Sequence, residues 1–434
     1  MLNPLRHSLR RSRYEFLSRR AWRHRLVFWL GAVAVGIISY LFVRGGSIID
    51  HHVHALVARW PWLPFLVTPL GLALTAWITR RWFSGAEGSG IPQAIAAIRR
   101  ADRGVRLRLL SLRIAVGKFL LTWAALLAGG SVGVFAPTVH IGASLLYGVG
   151  ARVGIRHQDM QRGLILAGGA AGIAAAFNTP LAGIVFAIEE MSRSLHERSS
   201  GLMLSAVIIA GLTALVLLGQ QSPFPPIEAT LPSLGAWLSV PAIGLSGGVL
   251  GALFSILLIL STRLATPLLA RRGIALAIAC GAVVALCSWL TGGLIHGTGF
   301  LQAAALASGD LESGLLYPLA KMVATLASYL SGVPAGIFGP ALGIGAGIGS
   351  ALAGWFSDVA PGILVLFGMV AFFSGMAQTP ITAVVVILEL CDNHQLLLPL
   401  MATAFLAYAA SRIICHKPIY RALAEPFLRP PPTH

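Results

Sequence analysis

Six apolar runs of about the length needed to cross a membrane recur along this chain of 434 residues. A helix that spans the hydrocarbon core of a bilayer takes about 20 mainly apolar residues. Only 11% of the residues are charged, against about 25% in soluble domains, which leaves too little charge to cover the surface of a soluble helical bundle. The runs therefore predict an all-α polytopic membrane protein. They lie at residues 27–43, 109–128, 202–218, 240–260, 274–290 and 396–410.

The net charge of +17 is concentrated beside these apolar runs. Eight arginines lie within residues 6–25 and five within 99–108, which read RRADRGVRLR. Arginine-rich segments next to membrane spans mark the cytoplasmic side and contact anionic membrane lipid. We therefore expect a multi-pass integral membrane protein with a cytoplasmic N-terminus. We expect no nucleic-acid partner, because nucleic-acid binding would need a folded basic domain rather than a short tail.

The residue patterns of intramembrane enzymes and metal proteins do not occur in the chain. HExxH is missing, and no glycine–serine stretch comes with the partners of a catalytic triad. The four cysteines, Cys280, Cys287, Cys391 and Cys415, fall in or beside apolar runs without metal-ligand spacing, so we expect them to pack as small apolar side chains. We predict no enzyme activity, no metal site and no cofactor.

The two halves of the chain repeat the same motifs. GVFAP recurs as GIFGP at an offset of 203, and the same offset relates Lys118 to Lys321. Further on, FNTPLAGIVFAIEE resembles AQTPITAVVVILEL at an offset of 200, which relates Glu189 to Glu389. Repeated halves are common in transport proteins, whose ion sites lie near the midplane where broken helices meet.

The repeat divides the chain into five segments. We predict a basic cytoplasmic segment at 1–25, a first membrane half at 26–220, a proline-rich linker at 221–232, a second membrane half at 233–425 and a short C-terminal tail at 426–434. Glycine and proline divide 88–150 and 332–349 into pieces too short to span a bilayer. We therefore expect broken helices in both halves.

Three motifs combine glycine with a proline that opens a helix: GSGIP at 88–92, GVFAP at 133–137 and GIFGP at 336–340. Proline suits the first turn of a helix, where its missing N–H is not needed. The amides at the start of a helix have no intrahelical acceptor, and such free amides attract anions. Three such helix starts predict a site for a small anion, with the hydroxyl of Ser89 as a further donor.

At these motifs the sequence resembles the CLC family of chloride channels and proton/chloride antiporters, from about residue 63 to residue 423. GSGIP is similar to the first anion-site signature of that family, PTVHIGA to the end of the second, GIFGP to the third, and KPIY to the C-terminal segment. AAAFNTPLAGIVFAIEEM and QTPITAVVVILELCDN also resemble family sequence. The resemblance implies an inverted repeat of two related halves, a homodimer and one pore in each subunit.

The resemblance also implies a chloride site built from hydroxyl and backbone N–H donors. A serine and a tyrosine supply the hydroxyls, and the helix opened by GIFGP supplies two amides. A serine in GSGIP goes with chloride in the family. The implied anion-binding residues are Ser89, Gly90, Ile91, Ile337, Phe338 and Tyr420.

The second signature departs from the family pattern, Gly-Arg/Lys-Glu-Gly-Pro. Its three central positions are here Val134, Phe135 and Ala136. The resemblance implies that the missing glutamate is the extracellular gate, which also carries protons in the antiporters. Phenylalanine has no titratable group. Three interpretations stay open for Phe135: its ring plugs the pore, its weakly positive edge contacts an anion, or it packs away from the pore.

The internal proton glutamate of the family corresponds to Glu190, which is retained. Since no carboxylate at Phe135 can exchange a proton with it, we favour a structural role for Glu190. The sequence therefore predicts passive chloride transport uncoupled from protons, through a channel or a slow uniporter. The alternative is a proton/chloride antiporter with a rewired proton path, in which His140 substitutes because it titrates near neutrality.

Overall fold

The computed structural model describes residues 18–100, 102–191, 197–219, 224, 227, 231 and 233–428. These residues form an almost entirely helical protein, and the sheet-type pairing among them is limited to an isolated antiparallel bridge between Gly133 and Gly336. Six helical segments in this part of the chain are long and apolar enough to cross a membrane. The predicted all-α polytopic architecture is confirmed.

The first half contains three helices of nine residues or fewer, α3, α4 and α8 in the list that follows, which are too short to span a bilayer. A π-helical turn, Ala187–Met191, continues α8. The helices are α1 (Arg19–Arg59), α2 (Leu63–Trp82), α3 (Ile91–Arg99), α4 (Arg103–Leu109), α5 (Leu112–Leu127), α6 (Phe135–Arg152), α7 (Gln158–Phe177), α8 (Pro180–Phe186) and α9 (Glu197–Leu218).

The second half begins with a very long helix that is broken in the middle. This helix, α10, contains Arg272 with a φ of −137° and a ψ of 43°, which are not helical values. The break separates the apolar runs predicted at 240–260 and 274–290. The helices are α10 (Ser239–Leu290), α11 (Phe300–Ser308), α12 (Leu316–Leu330), α13 (Phe338–Ala351), α14 (Pro361–Ala377), α15 (Pro380–Cys391), α16 (Leu397–Ile414) and α17 (Ile419–Leu428).

The predicted segment boundaries fall partly on residues outside the described part of the chain. These are residues 1–17 of the basic segment, most of 221–232 and residues 429–434 of the tail. Helix α1 begins at Arg19, within the predicted basic segment, and α17 ends at Leu428, within the predicted tail. The division into five segments stays a prediction.

Glutamates of the two halves hydrogen-bond to each other's helices. Glu389, in α15, accepts hydrogen bonds from the amides of Leu181 (3.2 Å) and Ala182 (2.7 Å) at the start of α8. Its counterpart Glu189 accepts from two amides at the start of α15, also at 3.2 and 2.7 Å. A carboxylate at a helix N-terminus is favourable because it faces the positive end of the helix dipole. Such reciprocal contacts are what a two-fold relation between the halves produces.

Two buried helices, α7 and α14, hold the central helices of each half in place. Helix α7 packs closely on α6, and α14 packs in the same way on α13. A Cβ atom added to Gly142 would lie 2.2 Å from the carbonyl oxygen of Gly168, and one added to Gly345 would lie 2.4 Å from that of Gly368. Only glycine permits backbones to approach this closely. The glycine pairs therefore position the N-termini of α6 and α13.

Candidate anion pathway

The N-termini of α6 and α13 meet inside the protein. Gly133 donates its N–H to the carbonyl oxygen of Gly336 at 2.7 Å, and the two glycine motifs run antiparallel at this point. The N-cap residues Val134 and Ile337 are buried, and their apolar side chains make no capping hydrogen bond. The free amides and the positive ends of two helix dipoles therefore create an electropositive region without a cationic side chain.

The loop that carries Ser89 is held by backbone pairing and by a buried lysine. Gly88 donates to the carbonyl of Val333 at 3.0 Å, and Lys118 Nζ donates to the carbonyls of Glu87 (3.3 Å) and Gly88 (2.8 Å). Ser89 is fully buried. Because Lys118 is occupied by carbonyl groups, it orients the loop and leaves the serine hydroxyl as the polar side chain at the start of α3.

Glycine is required at the N-cap of α3. Gly90 has a φ of +98°, in the left-handed region that costs little only for glycine. A Cβ atom there would also lie 2.6 Å from Cβ of His140. The glycine thus lets the Ser89 loop lie directly on α6.

Tyr420 places a buried hydroxyl near this loop. Its side chain is fully buried on α17, which packs against α3, and its hydroxyl has no hydrogen-bond partner within the described residues. Glu190 and Tyr329 are close enough to Tyr420 to interact with it electrostatically. Leaving a hydroxyl unpaired in a buried site is costly, so this hydroxyl is suited to donate to a bound anion.

The sequence-predicted anion residues lie at the N-termini of neighbouring helices. Helix α3 packs against α6 and α17, and α6 packs against α13. All six residues are inaccessible to solvent or nearly so. Ser89 and Gly90 precede α3 and Ile91 begins it, Ile337 is the N-cap of α13 and Phe338 begins it, and Tyr420 lies in the first turn of α17.

Phe135 is packed in an aromatic cluster and also lines a cavity. Its ring is 4% exposed and stacks on Phe177, with the ring centroids 3.8 Å apart and an angle of 14° between the planes. The rings of Phe300 and Phe338 lie 5.8 and 6.5 Å away. Val134 and Phe135 line a cavity of about 100 Å³. The ring of Phe135 is thus both packed and part of a cavity wall, so the three interpretations stay open. Ala136 is buried beside it.

A second cavity lies on the Ser89 side. It has a volume of about 610 Å³ and is lined by Glu87, Gly88, Arg263, Tyr329 and other residues. No residue lines both cavities within the described part of the chain. One cavity is thus lined by residues at the start of α6, and the other by the loop that precedes α3.

Glu190 and His140, the two residues of interest for protons, are both buried. Glu190 lies in the π-helical turn after α8. The ring of His140 donates from Nε2 to the carbonyl of Leu109 at 2.6 Å, since a carbonyl can only accept. His140 thus packs beneath Gly90 and ties α6 to the end of α4.

Sequence reasoning missed three polar residues beside the pathway. Tyr329 lies against the Ser89 loop, where a Cβ atom at Gly88 would be 3.0 Å from its hydroxyl. Asp50 and Thr298 line the Phe135 cavity. Asp50 lies beyond the apolar run at 27–43 and directly before two histidines, so no sequence pattern identified it.

Known proteins share both the sequence and the fold. Residues 71–412 match the family model described as voltage gated chloride channel. The H(+)/Cl(-) exchange transporter ClcA of Cronobacter sakazakii is 31% identical over 421 residues, which cover 91% of this chain and 87% of that protein. ClcA of Yersinia pestis is 29% identical over 423 residues, covering 90% and 85%.

Two solved structures have the same architecture. A slow cyanobacterial Cl−/H+ antiporter superposes with a TM-score of 0.77 at 26% identity, covering 93% of this chain and 98% of its own. A CLC-type fluoride/proton antiporter gives a TM-score of 0.78 at 20% identity, with the same coverage, and its likeness concerns the fold alone. The match of the family model to most of the chain shows that this protein belongs to the voltage gated chloride channel family, the CLC family.

Proposed function

We propose that this protein conducts chloride passively across the membrane, without coupling to protons. The family and the ClcA relatives support chloride as the transported ion. The observation that carries the uncoupled mechanism is Phe135 as the first residue of α6, packed on Phe177. A phenyl ring at this place neither binds a proton nor competes with an anion by charge.

Chloride is held in this proposal by groups that carry partial charges. The hydroxyls of Ser89 and Tyr420 and the amides of Ile337 and Phe338 donate to the ion. Binding through partial charges is strong enough for the ion to enter and weak enough for it to leave, as conduction requires. The two cavities give access from opposite directions, and Glu190 has a structural role.

A proton/chloride antiporter is the second candidate. The relatives named above are exchangers, and Glu190 is retained as a buried acid near Tyr420. His140 would then have to carry protons. Its location beneath Gly90, with Nε2 engaged by a carbonyl, favours a packing role.

Anion and proton fluxes measured together decide between these functions. Vesicles containing the purified protein and chloride should release chloride when a potassium ionophore removes the opposing voltage, and the external pH should not change beyond the leak of protein-free vesicles. Uphill proton movement driven by a chloride gradient, abolished in Glu190→Gln, would establish the antiporter instead. Absence of chloride flux from folded protein would refute both.

We also propose a homodimer with one pore in each subunit, in the bacterial inner membrane and with a cytoplasmic N-terminus. The basic residues at 99–108 support this orientation, because arginine-rich loops stay on the cytoplasmic side. The surface of the described residues carries many exposed leucines, as a protein surrounded by lipid and a second subunit requires.

A further inference from the structure

The loop before α11 is the second-half counterpart of the Ser89 loop. GTGFLQ at 297–302 follows GSGIPQ at 88–93 at an offset of 209. Gly297 donates to the carbonyl of Gly130 at 3.1 Å, as Gly88 does to Val333. Lys321 Nζ donates to the carbonyl of Gly297 at 3.0 Å, as Lys118 does to Gly88. Thr298 therefore occupies in the second half the place of Ser89 in the first.

The N-cap of α11 has the same special backbone as that of α3. Gly299 precedes the helix with a φ of +76°, and α11 is nine residues long. The N–H and hydroxyl groups of Thr298 are consequently presented at a helix N-terminus, the arrangement that makes the first-half loop suited to an anion.

The carboxylate of Asp50 already accepts hydrogen bonds from both of these donors. Asp50 Oδ2 accepts hydrogen bonds from the Thr298 N–H at 3.2 Å and from the Thr298 hydroxyl at 3.0 Å. The side chain of Asp50 is 1% exposed. Its other oxygen, Oδ1, lies 3.2 Å from His54 Nδ1, a nitrogen that is also 2.8 Å from the backbone carbonyl oxygen of Asp50.

The surroundings of Asp50 favour negative charge. Lys321 lies behind the loop, with its Nζ on three successive carbonyls. The rings of His54 and His296 are 6.2 Å apart, and Arg44 lines the same cavity as Asp50. Within the described lining of this cavity, Asp50 is the only acid. With Lys321 and Arg44 nearby, this place is electrostatically suited to an anion once the carboxylate of Asp50 leaves.

Asp50 and Thr298 lie at one mouth of the proposed anion pathway. Asp50 and Thr298 line the cavity that Phe135 also lines. Along α1, Asp50 lies 25 residues beyond Arg25, about 37 Å at the rise of an α-helix. Part of the lining of this cavity therefore lies far along α1 from its basic start.

We propose that Thr298 at the N-terminus of α11 forms a second anion site, which Asp50 occupies as a tethered competitor of halide ions. Halide entering this mouth displaces the carboxylate from Thr298 before it reaches Phe135. The binding site stands on its own geometry, and its effect on flux rests on the proposed chloride conduction.

Bromide scattering in crystals of the full-length protein tests the site independently of transport. Asp50→Ala uncovers Thr298, so bromide should bind beside the Thr298 amide at clearly higher occupancy in this variant than in the wild type, where the carboxylate competes. Asp50→Ser is a second variant for the case that Asp50→Ala does not fold. The serine hydroxyl can hydrogen-bond within α1, but the side chain is too short to reach Thr298. Asp310→Ala, at an exposed aspartate just beyond the other end of α11, is the matched control and should leave bromide occupancy at the wild-type level.

Second-site variants identify the donor. In the Asp50→Ala background, Thr298→Val should reduce bromide occupancy, whereas Thr298→Ser should keep it. Chloride flux from vesicles should rise about tenfold in Asp50→Ala, because the negative charge of Asp50 no longer repels chloride in this cavity. No bromide beside Thr298 in folded Asp50→Ala or Asp50→Ser would overturn the site. Bromide bound there in a protein that passes no chloride would uphold the site and refute the proposed function.

Discussion

Tyr420 and Ser89 carry the side-chain chemistry most specific to an anion. Both are buried, and the Tyr420 hydroxyl makes no hydrogen bond within the described residues. Lys118, which contacts the Ser89 loop, is engaged with carbonyl groups. Chloride affinity should therefore depend on these hydroxyls more strongly than protein stability does.

Tyr420→Phe and Ser89→Ala should each weaken chloride binding by roughly tenfold or more. A hydrogen bond to a charged group contributes about 1.5–3 kcal/mol, and 1.4 kcal/mol is about a factor of ten in affinity. Calorimetry with chloride titrated into chloride-free protein in detergent measures the change. Tyr147→Phe removes another buried hydroxyl without a partner, about 18 Å along α6 from Phe135, and should leave affinity unaltered. Equal affinities in all four proteins would show that neither hydroxyl contacts the ion.

The sequence identified Ser89 and Tyr420 as candidate anion ligands, but it did not predict which side chains pack around the candidate residues. The motifs GSGIP and KPIY identified Ser89 and Tyr420 by resemblance, and the structure places both at helix starts. The orientation of Phe135 was open because sequence does not determine a side-chain rotamer. Its stacking on Phe177 depends on the end of α7 approaching α6, which is a property of tertiary packing.

The N-termini of two helices in this fold are capped by carboxylates from the other half. Glu189 and Glu389 take the amides that start α15 and α8. The pairs differ in one contact, because Glu189 also accepts from the hydroxyl of Thr382 at 2.7 Å. The two otherwise equivalent caps therefore differ in strength.

Glu189→Gln should lower thermal stability more than Glu389→Gln. Each change removes a charge from a helix N-terminus, about 0.3–1 kcal/mol at an exposed end, and weakens hydrogen bonds of about 0.5–1.5 kcal/mol each. Unfolding midpoints in detergent, recorded at one scan rate, give the ranking. Thr382→Val should remove the difference between the two variants. The reverse order, or no loss in either, would contradict the structural role of both glutamates.

The sequence predicted most of the broken helices, but it did not predict the one that begins at α11. Glycine and proline predicted the starts of α3, α6 and α13. The start of α11 was missed because GTGFLQ lacks the proline of GSGIPQ and has Thr298 for Ser89. Its equivalence becomes visible through Lys321, which bonds to the carbonyl of Gly297. A helix start that depends on glycine and on a lysine far away in sequence leaves little pattern in the local sequence.

Proton coupling is a property of the whole pathway, since a proton must find titratable groups from one side to the other. Glu190 lies in the π-helical turn after α8 and interacts with Tyr420, whereas Phe135 begins α6. A single acid at Phe135 would restore charge at the gate without restoring the remainder of a proton path.

Phe135→Glu should make chloride flux depend on pH. The flux should fall as pH rises through the range in which a carboxyl ionises, about 4–5 for an unperturbed side chain, because the ionised group competes with chloride. Chloride efflux measured between pH 4 and 8 reports the change. Phe135→Gln has the same size without the charge and should show the pH profile of the wild type. An unchanged profile in folded Phe135→Glu would mean that this position does not face the ion.

The exchange of caps between the halves has a consequence for biosynthesis. Leu181 leaves the ribosome 208 residues before Glu389, so the amides at the start of α8 enter the bilayer before their acceptor exists. Unpaired amides are costly in hydrocarbon. The first half is therefore inserted as an incomplete structure, and its completion waits for the translation of α15, so that the two halves mature together rather than in succession.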